Sequence, residues 1–273
     1  MALTKVLITV KTYPALSSKY DEIVCTAGFL EDGSWIRIYP VQFRQKNDDQ
    51  QYSKYDWIEL DLVKNKSDFR PESYRPESYD GEIKILSKLD TNDNWRERKE
   101  IVLKNKVHND LAALIAEAKD DKIGTSLAVF KPTEILDFTI EAVEREWDKA
   151  RLQKLETERQ GNIFKQLEDP FKVVNKLPYK FSYVFKDING LQSKLMIEDW
   201  EIGALYWNCL KTHNGDESKA VLDVKKKYLD DFAKTRDLYF FLGTAQLFHK
   251  IAPNPFMIIG TFHPKIDLQQ RLF

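Results

Sequence analysis

Residues Asp21–Arg44 read DEIVCTAGFLEDGSWIRIYPVQFR. Two apolar β-type runs, Ile23–Leu30 and Trp35–Tyr39, flank Glu31-Asp32-Gly33, a strong hairpin turn signal. The second run alternates, with Trp35, Arg37 and Tyr39 on one face and Ile36 and Ile38 on the other. An arginine between two aromatic rings can stack flat bases and pair with phosphate. The same pattern also suits a half-wet barrel wall with a snorkelling arginine. Residue types leave both readings open.

Outward from the hairpin, the first third of the chain reads as β. Runs at 4–10, 22–30, 33–39, 56–63 and 82–87 are rich in Val, Ile, Leu and aromatics and are separated by turn residues. Five short strands in this space suit a small barrel better than an open α/β sheet. Residues 44–55 are polar and read as a loop. A tandem repeat follows, Arg70-Pro71-Glu72-Ser73-Tyr74 and Arg75-Pro76-Glu77-Ser78-Tyr79. Its prolines predict a surface loop rather than a strand.

Beyond Trp95 the period changes. Leu111, Leu114, Ile115 and Ala118 fall at helical spacing, with Asn109 or Asp110 as N-cap. Further β segments are predicted at 126–131, 133–142, 179–186, 193–197, 237–243 and 255–262. Helices are expected over 144–160, 199–212 and 216–234, with a loop running on to Pro170. This predicts two β-rich units, 1–120 and 121–273, the second with a helical pair inserted. The stretch 95–120 can be assigned to either.

Bulk properties narrow the function. The chain has 273 residues, 42 basic and 43 acidic, for a net charge of −1. That balance argues against a polybasic binder that relies on phosphate neutralisation alone, though a local basic groove is compatible with it. Two cysteines, Cys25 and Cys209, make no disulfide framework, and a reducing cytoplasm is the default. No run approaches the ~20 apolar residues of a membrane span. Glycine-rich phosphate loops, HExxH, CxxC and GxSxG are all absent, and the four histidines lack metal-ligand spacing, so no metal or cofactor is expected. Cys25, Cys209 and His249 are the candidates for a catalytic pocket. Inert core cysteine is the competing reading. On helix 199–212, Tyr206 and Trp207 lie about 100° apart, so one ring there can line a pocket, though a broad apolar helix wedged between sheets explains the same residues and is the preferred reading.

Several segments recur in a fixed order: Lys11–Pro14, Cys25–Gly28, Trp35–Pro40 with Phe43-Arg44, Arg70–Ser73, Tyr206–Cys209, Phe240–Thr244 and Pro253–Phe256. In these the chain resembles the bacterial dual OB-containing domain family over nearly its whole length. The second RPESY copy is additional to that pattern. The resemblance implies an α+β, β-rich fold of two OB-like small β-barrels with inserted helices. It also implies a setting in prokaryotic defence or conflict systems and recognition of nucleic acid or nucleotide. On that reading Trp35 and Tyr39 stack on bases while Arg37, Arg44 and Arg70 hold the backbone, most naturally of a single strand. Two alternatives remain: an enzyme or sensor acting on a nucleotide or modified base, and an adaptor for a protein encoded nearby.

Overall fold

The hairpin forms where its pattern predicts. β3 (Asp21–Phe29) and β4 (Trp35–Val41) pair antiparallel, with Phe29 opposite Trp35. Leu30 and Ser34 close the turn at 2.9 Å, and Gly33 takes φ +80°, where a side chain would be strained. This computed structural model describes residues 3–17, 21–41, 43–78, 81–150, 152–153, 157 and 174–267. In the charged segment expected as a helix over 144–160, residues 144–148 are not helical and helix begins only at Lys149; residues 151, 154–156 and 158–160, and all of 161–170, lie outside the described residues.

Around the hairpin an eight-stranded sheet assembles. β1 (Thr4–Lys11) lies between β3 and β5 (Asp56–Leu60), and the path runs β6-β7-β4-β3-β1-β5-β8, with β2 (Ala15–Ser17) added to β3. β6 spans Leu62–Lys64, β7 Ser73–Pro76 and β8 Lys84–Lys88. Register shifts at Ile8/Val10, Val24/Thr26 and Trp57/Ile58 add bend, and the sheet curls into half a barrel. The tandem repeat departs from expectation, because β7 pairs parallel with β4 and antiparallel with β6. Its prolines permit this: Pro71 precedes the strand and Pro76 is its last residue, so neither removes an interior ladder donor.

α1 (Asn92–Val102) leads to the second unit. There β9 (Val107–His108), β10 (Leu127–Phe130), β14 (Tyr239–Thr244) and β15 (Phe256–Phe262) form a four-stranded sheet in the order β15-β14-β10-β9. β11 (Glu134–Ala142), β12 (Tyr179–Lys186) and β13 (Gln192–Met196) form another. Three helices cover them: α2 (Leu111–Lys119), α3 (Trp200–Thr212) and α4 (Glu217–Lys225), the last winding on through Ala233 as wider π-type turns. Each opens on an aspartate, Asp110, Asp199 or Asp216, whose carboxylate accepts a first-turn N–H. The fold is therefore strand-rich α+β with inserted helices, the class the pattern predicts.

Three hydrophobic clusters hold it. Ile8, Ile36, Ile38, Phe43 and Tyr52 fill the first unit; Leu114, Phe138, Phe181, Tyr206 and Phe240 fill the second. The remaining cluster is shared, with Leu7, Val10, Phe29 and Trp57 of the first unit against Val129, Phe241, Ile259 and Phe262 of the second. Beside it Lys54 bridges Asp199 at 2.9 Å and Glu201 at 2.8 Å, with Lys54 and Asp199 both buried. Burial above all, with the Glu201 charge adding, pushes Asp199 up to about 6. Lys54 loses to burial but gains more from its two carboxylates, and is held protonated.

Candidate nucleic-acid interface

At Trp35 and Arg37 the aromatic and basic face of β4 meets protein rather than solvent. Trp35 lies 4.0 Å from the Phe29 ring and 5.5 Å from that of Phe241, inside the shared cluster. Arg37 is only 4% exposed; its guanidinium donates to Ser126 O at 3.0 Å, Ser126 Oγ at 3.1 Å and Thr244 O at 3.3 Å. Arg70 is equally buried at 4%, donating to both oxygens of Asp68 and also to Thr244 O. Glu72 completes this clamp, accepting from the N–H of Ser126 at 3.1 Å and its hydroxyl at 2.7 Å. Burial raises the Asp68 carboxyl, but hydrogen bonds from Arg70 and Ser73 outweigh it and hold the group below the usual range. Arg37 and Arg70 thus join β4 and β7 to the ends of β10 and β14.

Cys25 and His249 border the same clamp without forming a pair, and Cys209 lies apart from it. Arg37 Nη1 lies 3.7 Å from Cys25 Sγ, and His249 Nδ1 is 2.7 Å from Thr244 Oγ1. Among the described residues no hydrogen bond joins a cysteine to a histidine. Cys209 sits half-buried on α3, and burial raises its thiol. Among the described residues, no group of three or more His, Cys, Asp and Glu could hold a metal ion. No helix among them is long and apolar enough to cross a membrane.

Tyr39 and Arg44 lie elsewhere. Arg44 is exposed on a short turn after β4. Tyr39 lines an open groove of about 730 Å³ together with Lys64, Lys66, Arg75, Glu77 and Gln246. Three cations face one carboxylate there, which gives a near-neutral chain a local positive trough. Lys64 bonds Pro71 O and lies 4.6 Å over the Tyr74 ring, while Arg75 Nη1 donates to Pro76 O at 3.0 Å. Gln246 Nε2 donates to Ser67 O at 2.7 Å and ties the β6–β7 loop to the β14–β15 loop of the other unit.

Those two loops carry the feature the sequence reading missed. Phe69 is 57% exposed, Phe248 50%, Leu247 73% and Ile251 71%. Phe69 packs edge-on against His249 at 5.4 Å. Exposed rings beside a cationic groove are the parts of a base-stacking platform. A faint signal existed in Leu247-Phe248 and Phe69, large apolar residues between turn residues where no strand or helix period claims them.

Residues 2–104 match the family described as domain of unknown function DUF8758. Comparison with curated proteins gives no match. Among solved structures, the tetrameric p202 HIN2 aligns over 97% of this chain and 92% of its own, at 9% identity and a TM-score of 0.30. A murine DNA-binding protein bound with double-stranded DNA aligns over 98% and 97%, at 8% identity and a TM-score of 0.30. Residues 107–273 match the family described as domain of unknown function DUF8757, and the chain, more than half of it covered by that match, belongs to this family.

Proposed function

We propose that this protein is a nucleic-acid-binding module that lays a single strand along the Tyr39 groove. One observation carries the reading: Lys64, Lys66 and Arg75 converge on a groove whose neighbouring loop tips expose Phe69 and Phe248. Cations hold the backbone; exposed ring faces take unpaired bases, which a duplex would keep stacked. The defence setting belongs to the proposal through the family resemblance, and phage plating on cells with and without the gene tests it.

Fluorescence anisotropy with labelled single- and double-stranded DNA and RNA tests the binding. Saturable binding that weakens with salt is expected, falling about tenfold or more in Lys64→Glu/Lys66→Glu. Phe248→Ala should cost about 1–3 kcal/mol of affinity, one base stack. No binding to any oligonucleotide, or binding indifferent to the charge reversal, defeats the reading. Leu247 and Ile251 favour a second one, since exposed aliphatic side chains stack poorly on bases and suit a protein partner. Unchanged oligonucleotide affinity in Phe248→Ala, with an Ile251→Asp variant losing a co-purifying partner, would transfer the site to that reading.

A further inference from the structure

Three segments of the recurring set, Lys11–Pro14, Phe43-Arg44 and Tyr206-Trp207, meet at a second place in the fold. Tyr13, Pro14, Arg44, Trp200, Ala204 and Trp207 line a pocket of about 250 Å³ that shares no lining residue with the Tyr39 groove. α3 makes its floor. Trp200, Ala204 and Trp207 fall at i, i+4 and i+7 on one helix face, which sets the two tryptophans roughly 10 Å apart along the axis. Between them Gly203 lets Tyr13 lie on the helix, because a Cβ there would stand 2.3 Å from Tyr13 Cδ2 and Cε2.

The rings are fixed in place. Trp207 Nε1 donates to Tyr13 Oη at 2.8 Å, and Tyr13 Oη donates to Asn175 O at 2.7 Å. Phe43 braces Trp200 edge-on at 5.6 Å. With the Trp207 and Tyr13 polar tips held by protein, these two side chains are left with carbon surface to offer a ligand. Their geometry is set beforehand, so little side-chain freedom is lost on binding. Arg44 brings positive charge to the lining. An adjoining depression of about 420 Å³ shares Val174, Asn175 and Trp207 and adds Lys176 and Arg145 balanced by Glu146 and Glu217, so Arg44 is the charge that marks this pocket. Flat aromatic walls with an arginine at the rim match a planar heterocycle carrying an anionic group.

We propose that this pocket takes one nucleobase between Trp200, Tyr13 and Trp207, with its phosphate on the Arg44 side. The base can come from a free mononucleotide or from a single strand. Saturation-transfer NMR on the full chain, with AMP, GMP, CMP, UMP and adenosine and then with short single-stranded oligonucleotides, separates the two sources. Ala204→Phe fills the floor and leaves the Trp207–Tyr13–Asn175 bonds in place. It should weaken binding by about tenfold or more, the worth of one base–ring stack. Arg44→Glu, on the exposed turn, should weaken AMP and leave adenosine unchanged. Mononucleotide binding lost in Ala204→Phe assigns a free nucleotide; oligonucleotide binding alone, weakened in the same variant, assigns a base of a strand. If neither variant changes the binding of any of these ligands, or none binds, the assignment is overturned.

Discussion

At the scale of single residues, burial separates structural arginine from exposed arginine. Arg37 is enclosed, and burial first of all draws its guanidinium below its ordinary value. Its hydrogen bonds to Ser126 and Thr244 offset that cost, as a buried charge requires. Arg37→Met should therefore lower stability by about 3 kcal/mol in urea unfolding, because Ser126 O loses its cationic donor and Thr244 O keeps only Arg70. Oligonucleotide affinity of the folded variant should stay at the wild-type value. His263 gives the acid-side counterpart. It lies 3.8 Å from the Phe232 ring and 5.0 Å from Trp95, and burial holds its imidazole down to about 4. Between about pH 6.5 and 4 the unfolded chain takes up this proton and the folded one does not, so stability from this group falls as pH falls. Asp199 works the other way, because its carboxyl, raised to about 6, takes up a proton in the folded state first. His263→Phe should remove the destabilising part, so its urea midpoint should drop less than that of wild type between pH 7 and pH 4.5.

At the scale of elements, close backbone approach marks which glycines the sheets require. A Cβ on Gly28 would lie 1.9 Å from Leu7 O, a ladder carbonyl that cannot yield without parting β1 from β3. On Gly243 it would lie 2.6 Å from Ile259 Cδ1, the tip of a movable side chain. Gly28→Ala should thus cost several-fold more stability than Gly243→Ala in thermal melts of the two variants. Most strands and the helices at 108–119, 199–212 and 216–234 were legible from period and capping, since each buries a continuous apolar face. β2 and β7 were not, because strands of three or four residues carry too little alternation to register, and β6 falls at the end of a single predicted run, 56–63, that breaks at Asp61. β7 was further hidden by prolines that sit at its margins. The candidate site was legible only in part. Tyr39 and Arg44 reach solvent-facing pockets, whereas Trp35, Arg37 and Arg70 show the limit of alternation: it tells which side chains share a face, and not which distant strand covers that face. The Ser126 and Thr244 carbonyls that claim Arg37 lie 89 and 207 residues away in sequence. Phe69 and Phe248 were missed for the complementary reason, since a ring on a loop has no period at all.

At the scale of the whole molecule, the two units are joined by a buried ion pair as well as by apolar packing. Lys54→Met leaves the Asp199 carboxylate buried without its counter-ion and should cost about 3–5 kcal/mol. Adding Asp199→Asn removes the stranded charge and keeps an oxygen to cap α3, so the double variant should recover most of the loss in urea unfolding. The interaction energy of that cycle measures the pair. The shared cluster adds the larger and less specific part of the attachment, with Val10, Phe29 and Trp57 facing Phe241, Ile259 and Phe262.

That cluster straddles the point between residues 104 and 107 where the two family matches meet. Neither half owns a finished surface there, and a chain cut at that point would present two sticky faces, each fitted to the other. Co-expressed halves should find one another and yield a soluble complex, while either half produced alone should precipitate. In genomes the consequence is one of inheritance: the two domains are expected to travel as a single cassette, or as adjacent genes whose products reunite, and seldom apart.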